Sequence, residues 1–526
     1  MFFGNRISFS VSRNLSGAVA SSVRFRSNII ASYASQIYCT LAAIVILPFY
    51  IRYMGAEAYG LVGFFGMLQV WFNLLDIGLT PTISRETARF NGKATDALTY
   101  RRLVRSLEGV FVAVALLGGG GLFLSAGYIS TNWLQSSQLS TGEIKTAVQL
   151  MAAIVAMRWM GGLYRGAISG FERLIWLGGY NAIIATVRFV GVLWVLKYIG
   201  ATPTIFFAYQ FMVAILELAI LMTYSHHLLP RVSHRQNLPW SWRPLKPVLK
   251  FSLTIAFVSV TWVLVTQTDK LVLSKLLPLA DYGYFTLAVL VAGGVSVISG
   301  PVSLALMPRM ARLEAEGDHA GLIRVYRQAT QMVAVIAGAA CATLAFCAEP
   351  LLWAWTGDAV LARQAAPVLI LYALGNGILG VAAFPYYLQY AKGELRMHLI
   401  GSTVFVVLLI PSIIWAAGKY GGIGAGYVWL SMNILSFVAW LPFVHHKFVR
   451  GLNVRWYFQD VLIIFSAIAL AGFGLNEIFP HAASRGWQMG MMMVFGFLLL
   501  LVGASASTFA WEKAIKKFSL ARWGFK

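Results

Sequence analysis

The chain has 526 residues, 59% of them hydrophobic and 11% charged, and a mean hydropathy of +0.72. Soluble domains carry roughly 25% charged and 45–50% apolar residues, so a water-soluble fold is excluded. Cys39, Cys341 and Cys347 all sit in apolar segments and read as small core hydrophobes, which excludes a disulfide-stapled secreted scaffold. The net charge of +22 would suggest nucleic acid in a soluble protein. In so apolar a chain it first reports membrane orientation, and no nucleic-acid partner is expected.

Residues 1–27 hold arginine and serine but no acid, and read as a basic cytoplasmic tail, with a transit peptide as the alternative. Apolar stretches of about 20 residues, each able to cross a ~30 Å hydrocarbon core, then follow at 28–50, 58–80, 106–128, 147–169, 174–196, 204–226, 250–276, 283–307, 329–351, 364–390, 396–417, 423–445, 459–479 and 487–510. The fold class is therefore all-α integral membrane, with about 14 transmembrane helices. With the N-terminus inside, the loops sort by charge. Arg85, Arg89, Lys93, Arg101, Arg102 and Arg105 share one inner loop, whereas only Arg52, Lys145, Lys197, Lys275, Arg363, Lys419 and Arg485 fall outside. That asymmetry places both termini in the cytoplasm and brings the inner cations against anionic membrane lipids, at about 1 kcal/mol each. Between the sixth and seventh stretches, residues 229–250 combine Pro230, Pro239, Pro244 and Pro247 with Trp240, Trp242 and several cations. Proline prevents a continuous helix, and tryptophan beside cations suits the headgroup layer, so this segment reads as an interfacial linker.

Self-comparison shows matches at an offset of 222–224 residues. Glu57-Ala58-Tyr59-Gly60 answers Ala280-Asp281-Tyr282-Gly283, Arg52 faces Lys275, Arg85 answers Arg309, and Lys197-Tyr198-Ile199-Gly200 answers Lys419-Tyr420-Gly421-Gly422. Glu172, in Gly170-Phe171-Glu172-Arg173, answers Glu394. Six stretches separate equivalent positions, so two like-oriented six-helix lobes are expected, residues 28–228 and 251–450. Residues 451–526 add two further spans and a basic tail. Parallel repeats of this kind are typical of alternating-access transporters.

The stretch Pro48-Phe49-Tyr50-Ile51-Arg52-Tyr53-Met54-Gly55-Ala56-Glu57-Ala58-Tyr59-Gly60, followed by Leu75-Asp76-Ile77-Gly78-Leu79, resembles the opening of the polysaccharide repeat-unit (Wzx-type) flippases. Thr268-Asp269-Lys270-Leu271-Val272-Leu273-Ser274-Lys275, running to Tyr282-Gly283-Tyr284-Phe285, is similar to their seventh span, and Phe171-Glu172-Arg173 before Asn181 to their fourth-to-fifth loop. The resemblance covers roughly residues 28–450. It implies the fold shared with the lipid II flippase and the MATE exporters, two six-helix lobes in a V shape. It also implies transport of an undecaprenyl-diphosphate-linked oligosaccharide from the inner to the outer leaflet of a bacterial inner membrane, with polysaccharide polymerase and assembly proteins as neighbours. Twelve spans are common in that family; the extra pair resembles the lipid II flippase.

Such a cargo needs a hydrated, cationic chamber. Charges within spans cost about 2.5–3.5 kcal/mol each, and here they are Asp76, Arg158, Arg188, Glu217, Asp269 and Lys270. Arg158 and Arg188, near the middles of the fourth and fifth spans, have the right chemistry to grip a diphosphate. A structural ion pair with Glu217 is the alternative, and one carboxylate would still leave one arginine over. Lys270 and its neighbour Asp269 diverge by about 100° on a helix; Asp269 either faces the chamber or packs with a hydrogen bond. Arg52 and Lys275, at equivalent repeat positions, form a cationic gate or snorkel into headgroups. No phosphate loop for ATP hydrolysis occurs and no cofactor is expected. Asp76, Glu217 and Asp269 are the candidates for ion coupling, Asp76 with helix capping as the alternative. Pro48 and Pro301 are the candidate hinges. Two other readings remain: an ion-coupled MATE-type exporter of amphiphiles, against which the deep arginines argue, and a membrane polysaccharide polymerase or ligase, against which the short outer loops argue. No enzymatic activity is expected.

Overall fold

A computed structural model describes residues 34–76, 78–230, 245–478 and 484–508, without the side chains of 245–258, 301 and 303–305. The expected tail at 1–27 and most of the 229–250 linker lie outside the described residues. Among the described residues the elements are all helices, as lipid demands of a chain that must satisfy its own backbone polar groups. By internal contact the chain forms two compact units, Met1–Val263 and Leu264–Lys526.

The first unit contains α1 (Ala34–Met54), α2 (Ala56–Phe72), α3 (Leu79–Asn91), α4 (Ala97–Trp133), α5 (Thr141–Gly170), α6 (Leu174–Tyr198) and α7 (Pro203–Leu228). Local chemistry sets where these helices start. Asp96 accepts from the Thr99 amide, Ser140 and Glu143 form a capping box, and Thr202 caps a helix whose first residue is Pro203. The amphipathic α3 falls where the sequence suggested only an inner loop; its buried residues, Leu79, Thr82, Ile83 and Thr87, recur at helical spacing. It lies close on α5 because Gly162, Gly166 and Gly170 carry no side chain. A Cβ on Gly166 would come within 2.6 Å of Ile83 Cγ2 and 2.7 Å of the Thr80 carbonyl. On another side, α5 packs along α7.

Helix α8 (Leu245–Leu276) crosses the boundary between the units, and the second unit contains its end from Leu264 on, then α9 (Leu279–Ala315), α10 (His319–Phe346), α11 (Ala348–Thr356), α12 (Ala359–Ala382), α13 (Phe384–Ala391), α14 (Arg396–Phe448), α15 (Asn453–Ile478) and α16 (Arg485–Ala506). Helix α15 is tied to α10 by a buried polar cluster. Arg327 donates to both oxygens of Asp460, at 2.7 and 2.8 Å, and Gln331 donates to Asp460 at 2.6 Å. Nearby, the Trp456 indole donates to Thr330, and Tyr326 meets the His445 ring at 2.8 Å.

The described parts of the fourteen apolar stretches lie on helices, with 58–80, 329–351 and 364–390 each shared between two, yet among the described residues twelve helical segments are long and apolar enough to cross a membrane. One reason is α14, where the stretches 396–417 and 423–445 run together by hydrogen bonding and are broken only by the non-helical Gly421 (φ 60, ψ −141). The other is α8, whose first turns have no described side chains. Candidate hinge Pro48 lies within α1, which is helical throughout. Pro301 lies in α9, its side chain outside the described residues.

The internal repeat is visible in backbone geometry. Helix α3 ends with Lys93 at φ 60, its amide donating to the Phe90 carbonyl and the next amide to Arg89; α9 ends with Gly317 at φ 73 and the same two bonds, to Glu314 and Leu313. The turn after α5, with Glu172 at φ 59, repeats after α13 with Gly393 at φ 69. All four are Schellman ends, which require a left-handed residue. At the second of these turns the register pairs Glu172 with Gly393 and Arg173 with Glu394, one residue away from the sequence match of Glu172 with Glu394.

Candidate functional site

Two parallel ladders on α5 and α7 build the site. Arg158 and Arg165 are seven residues apart on α5, and Gln210 and Glu217 are seven apart on α7. Seven residues make about two helical turns, so each pair lies on one face, roughly 10.5 Å apart along the axis. Arg158 meets Gln210 and Arg165 meets Glu217: Arg158 Nη2 donates to Gln210 Oε1 at 3.0 Å, and Arg165 Nη2 to Glu217 Oε1 at 2.5 Å. Arg158 Nη1 also donates to Gln69 of α2 at 2.8 Å, and Arg165 donates to Asn181 of α6.

Arg188 arrives from α6 through a distortion. Residues Thr186–Gly191 form a π-helical turn, a feature that frees carbonyls and commonly marks functional sites. Three of those carbonyls are satisfied by side chains: Val187 by Tyr209 at 2.7 Å, Arg188 by Gln210 at 3.1 Å and Phe189 by Tyr50 at 3.3 Å. The absence of a side chain at Gly191 leaves room for the Tyr209 hydroxyl. So held, Arg188 Nη2 donates to Glu217 Oε2 at 2.5 Å, and Arg158 Nε stands 3.8 Å from the same oxygen. The Tyr180 hydroxyl fixes the Glu217 carbonyl at 2.9 Å, and the Arg165 guanidinium lies over the Tyr180 ring at 5.5 Å.

Three guanidiniums therefore surround one carboxylate, leaving two positive charges uncompensated within the cluster. The carboxylate is the most enclosed member, with 6% of its side chain exposed, against 11% for Arg158, 22% for Arg188 and 30% for Arg165. The Nε atoms of Arg158 and Arg188 are buried and have no hydrogen-bond acceptor. Such a donor-rich, partly open set matches an oxyanion with several acceptor oxygens. Among the described residues no group of acidic, histidine and cysteine side chains could hold a metal ion.

Of the sequence-derived candidates, Arg158, Arg188 and Glu217 meet here. Arg165 is not among the sequence-derived candidates: it lies near the end of α5, where a cation is ordinary, although its seven-residue spacing from Arg158 is a readable signal. Asp269 and Lys270 lie in the second unit and meet each other instead of diverging. Lys270 Nζ folds back to the Thr266 carbonyl at 2.7 Å and reaches Asp269 at 3.2 Å, while the Tyr372 hydroxyl donates to Asp269 at 2.5 Å. Asp269 is buried. Tyr372 stacks on Trp429, whose indole donates to Asn376. Asp76 follows α2 and caps α3, accepting from the Thr80 amide and hydroxyl at 3.1 and 2.8 Å. Arg52 and Lys275 are exposed near the ends of α1 and α8.

The fold resembles that of the lipid II flippase MurJ in its inward closed conformation, with a TM-score of 0.68 at 15% identity, covering 91% of this chain and 98% of that one. An inward-facing multidrug resistance MATE family transporter of the MOP superfamily gives 0.62 at 13% identity, covering 78% and 96%. A MOP superfamily transporter from Pyrococcus furiosus gives 0.51 at 13% identity, covering 81% and 95%. Curated protein sequences give no significant match. Residues 25–314 match the family described as polysaccharide biosynthesis protein. The chain is thus a multi-pass membrane protein with the fold of MOP-superfamily transporters, and it belongs to the polysaccharide biosynthesis protein family.

Proposed function

We propose that the protein is a flippase that carries an undecaprenyl-diphosphate-linked oligosaccharide repeat unit from the cytoplasmic to the outer leaflet of a bacterial inner membrane, by alternating access. The observation that carries this reading is the Arg158–Arg165–Arg188 cluster on the single carboxylate of Glu217, inside membrane-spanning helices. Guanidinium forks suit phosphate oxygens, and the surplus of two positive charges matches a diphosphate diester. Membership of a polysaccharide biosynthesis family supports a glycan cargo. The resemblance to a lipid II flippase supports a lipid carrier. A MATE-type exporter of cationic amphiphiles is disfavoured, because a cationic drug would be repelled by this cluster.

In this reading Gln69 and Gln210 hold Arg158 through its two Nη groups beside the cargo site. The lipid tail stays in the bilayer. Arg52 and Lys275, exposed at helix ends, contact headgroups. Asp269, buried beside Tyr372 and Lys270, is the candidate for ion coupling in the second unit. We place the chain with fourteen crossings, in two six-helix lobes with two added helices, and both termini cytoplasmic, as the cation asymmetry favours.

The test is export in a cell lacking its own transporter. Arg158→Ala and Arg188→Ala are expected to abolish surface polysaccharide at unchanged protein level, and normal polysaccharide in both would remove the cluster from the site. Coupling is tested in proteoliposomes, where equal flipping rates with and without a proton gradient would exclude proton antiport.

A further inference from the structure

The three guanidiniums offer five N–H donors each, whereas a carboxylate presents about four lone-pair sites. Glu217 spends its two oxygens on Arg165 and Arg188. It leaves Arg158 Nε at 3.8 Å, beyond hydrogen-bond reach, and Arg188 Nε with no acceptor although both atoms are buried. Glu217 thus fills the positions an anion would take but satisfies them incompletely. It is also set deeper than the groups it holds: 6% of its side chain is exposed, against 22% and 30% for Arg188 and Arg165. An incoming anion can reach the guanidiniums from their open side while the carboxylate stays behind them.

We propose that Glu217 is an internal stand-in for the cargo's phosphates. It holds the forks of Arg165 and Arg188 while the site is empty and yields at least one of them when a phosphate-bearing headgroup arrives. The inference rests on the reading of the cluster as an anion site and adds a residue that sets its affinity. Carboxylate and phosphate compete for the same forks, and phosphate oxygens reach the Nη donors of Arg165 and Arg188 from their open side. Both Gln69 and Gln210 are neutral, so their hold on Arg158 does not compete for charge. The competition also gives the cycle a release step: when Glu217 retakes its arginines, the cargo is pushed off. An anion site without this competitor binds tightly and turns over slowly.

The experiment uses the full chain, purified in detergent, with farnesyl diphosphate as a soluble diphosphate ester probe. Calorimetry reads affinity, and thermal unfolding reads the ligand-induced rise in Tm. The wild type is expected to bind saturably and more weakly as salt rises. Glu217→Gln is expected to show a lower Tm without ligand, at least tenfold tighter binding and a larger ligand-induced rise, because the added anion replaces the one removed. Glu217→Asp, one methylene shorter, is expected to bind severalfold tighter than wild type, and it carries the test if the Gln variant does not fold. In cells, both variants are expected to lower surface polysaccharide despite tighter binding. Unchanged or weaker binding in the folded variants would overturn the stand-in role and mark Glu217 as the group that assembles the arginines. Absence of saturable binding in the wild type, unaltered by Arg158→Gln or Arg188→Gln, would overturn the anion site itself, a different failure.

Discussion

Removing one arginine and removing the one acid should have opposite consequences, and the comparison separates a binding site from a structural ion pair. In Arg188→Gln, Glu217 keeps Arg165 at 2.5 Å and Arg158 at 3.8 Å, so no buried charge is orphaned. At an effective dielectric near 20, two unit charges ~4 Å apart interact by about 4 kcal/mol. The lost attraction between Arg188 and Glu217 is of that order, and relief of repulsion from two neighbouring guanidiniums offsets most of it. The expected change in stability is within about 1 kcal/mol. In Glu217→Ala three cations are left facing one another, and stranding a buried charge costs about 3–5 kcal/mol. At roughly 2–4 °C per kcal/mol for domains of comparable size, Glu217→Ala should lower Tm by about 6 °C or more, and Arg188→Gln by no more than about 4 °C. Export should fail in the arginine variant even so. Thermal unfolding of purified protein, beside surface polysaccharide at matched protein level, reads both quantities. If Arg188→Gln proved as destabilising as Glu217→Ala, or supported normal export, the arginine would be part of the scaffold.

Three further outcomes follow from the packing. Asp460→Ala strips Arg327 and Gln331 of the carboxylate they share and should cost about 3 kcal/mol or more, seen as a lower Tm and easier proteolysis of α15; an unchanged Tm would mean that this carboxylate does not hold α15 on α10. Gly166→Ala places a methyl against Ile83 and the Thr80 carbonyl and should destabilise by about 1–3 kcal/mol, read by unfolding in denaturing detergent. Lys93→Gly relieves a left-handed residue at φ 60 and should raise stability by roughly 1 kcal/mol; a loss would show that the Lys93 side chain holds the turn in another way.

Helix positions were readable because lipid enforces the pattern: about 20 apolar residues in a row leave little choice. What was not readable is where local order departs from that pattern. The length and apolarity rule separates 396–417 from 423–445, but it takes the left-handed Gly421 to show that one hydrogen-bonded helix is merely broken there. Helix α3 is short and amphipathic, and its burial depends on three glycines about 80 residues further along, in α5. The site was half legible. Arg158, Arg188 and Glu217 stand out as charges deep in apolar stretches, but Arg165, five residues from the end of α5, looks like any headgroup cation. Nor could the sequence show that Tyr372, 103 residues away, is the partner of Asp269. The turns repeat in backbone geometry while their residues differ, Lys93 against Gly317 and Glu172 against Gly393, so that part of the likeness between the two copies is not legible in residue types.

The repeat also supplies an argument about which polar groups the fold needs. Carried across at an offset of 222 residues, or 221 at the end of α5, Arg158 answers Gly380 or Leu379, Arg165 answers Tyr387 or Tyr386, Arg188 answers Ile410, Gln210 answers Met432 and Glu217 answers Ala439. The second copy builds the same helix ends and turns with none of these charges, so the cluster is not a requirement of the backbone. In the reverse direction, Asp269 answers Ile46 and Lys270 answers Leu47 at 223, while Tyr372, Asn376 and Trp429 answer Leu150, Ile154 and Phe207 at 222. The first copy places apolar residues at every one of those positions. Each of these two buried polar networks therefore stands in one unit without a counterpart at the equivalent positions of the other. Intramembrane charge is costly, and a buried ion pair can often be replaced by apolar side chains without loss of stability. Under the proposed function the two networks divide the work: oxyanion chemistry in the first unit, and a neutralised Asp269–Lys270 pair suited to ion exchange in the second. If the networks were scaffolds instead, replacing Asp269, Lys270 and Tyr372 together with Ile, Leu and Leu, their first-copy counterparts, should preserve export as well as folding. The division argued here expects a folded protein that no longer responds to an ion gradient.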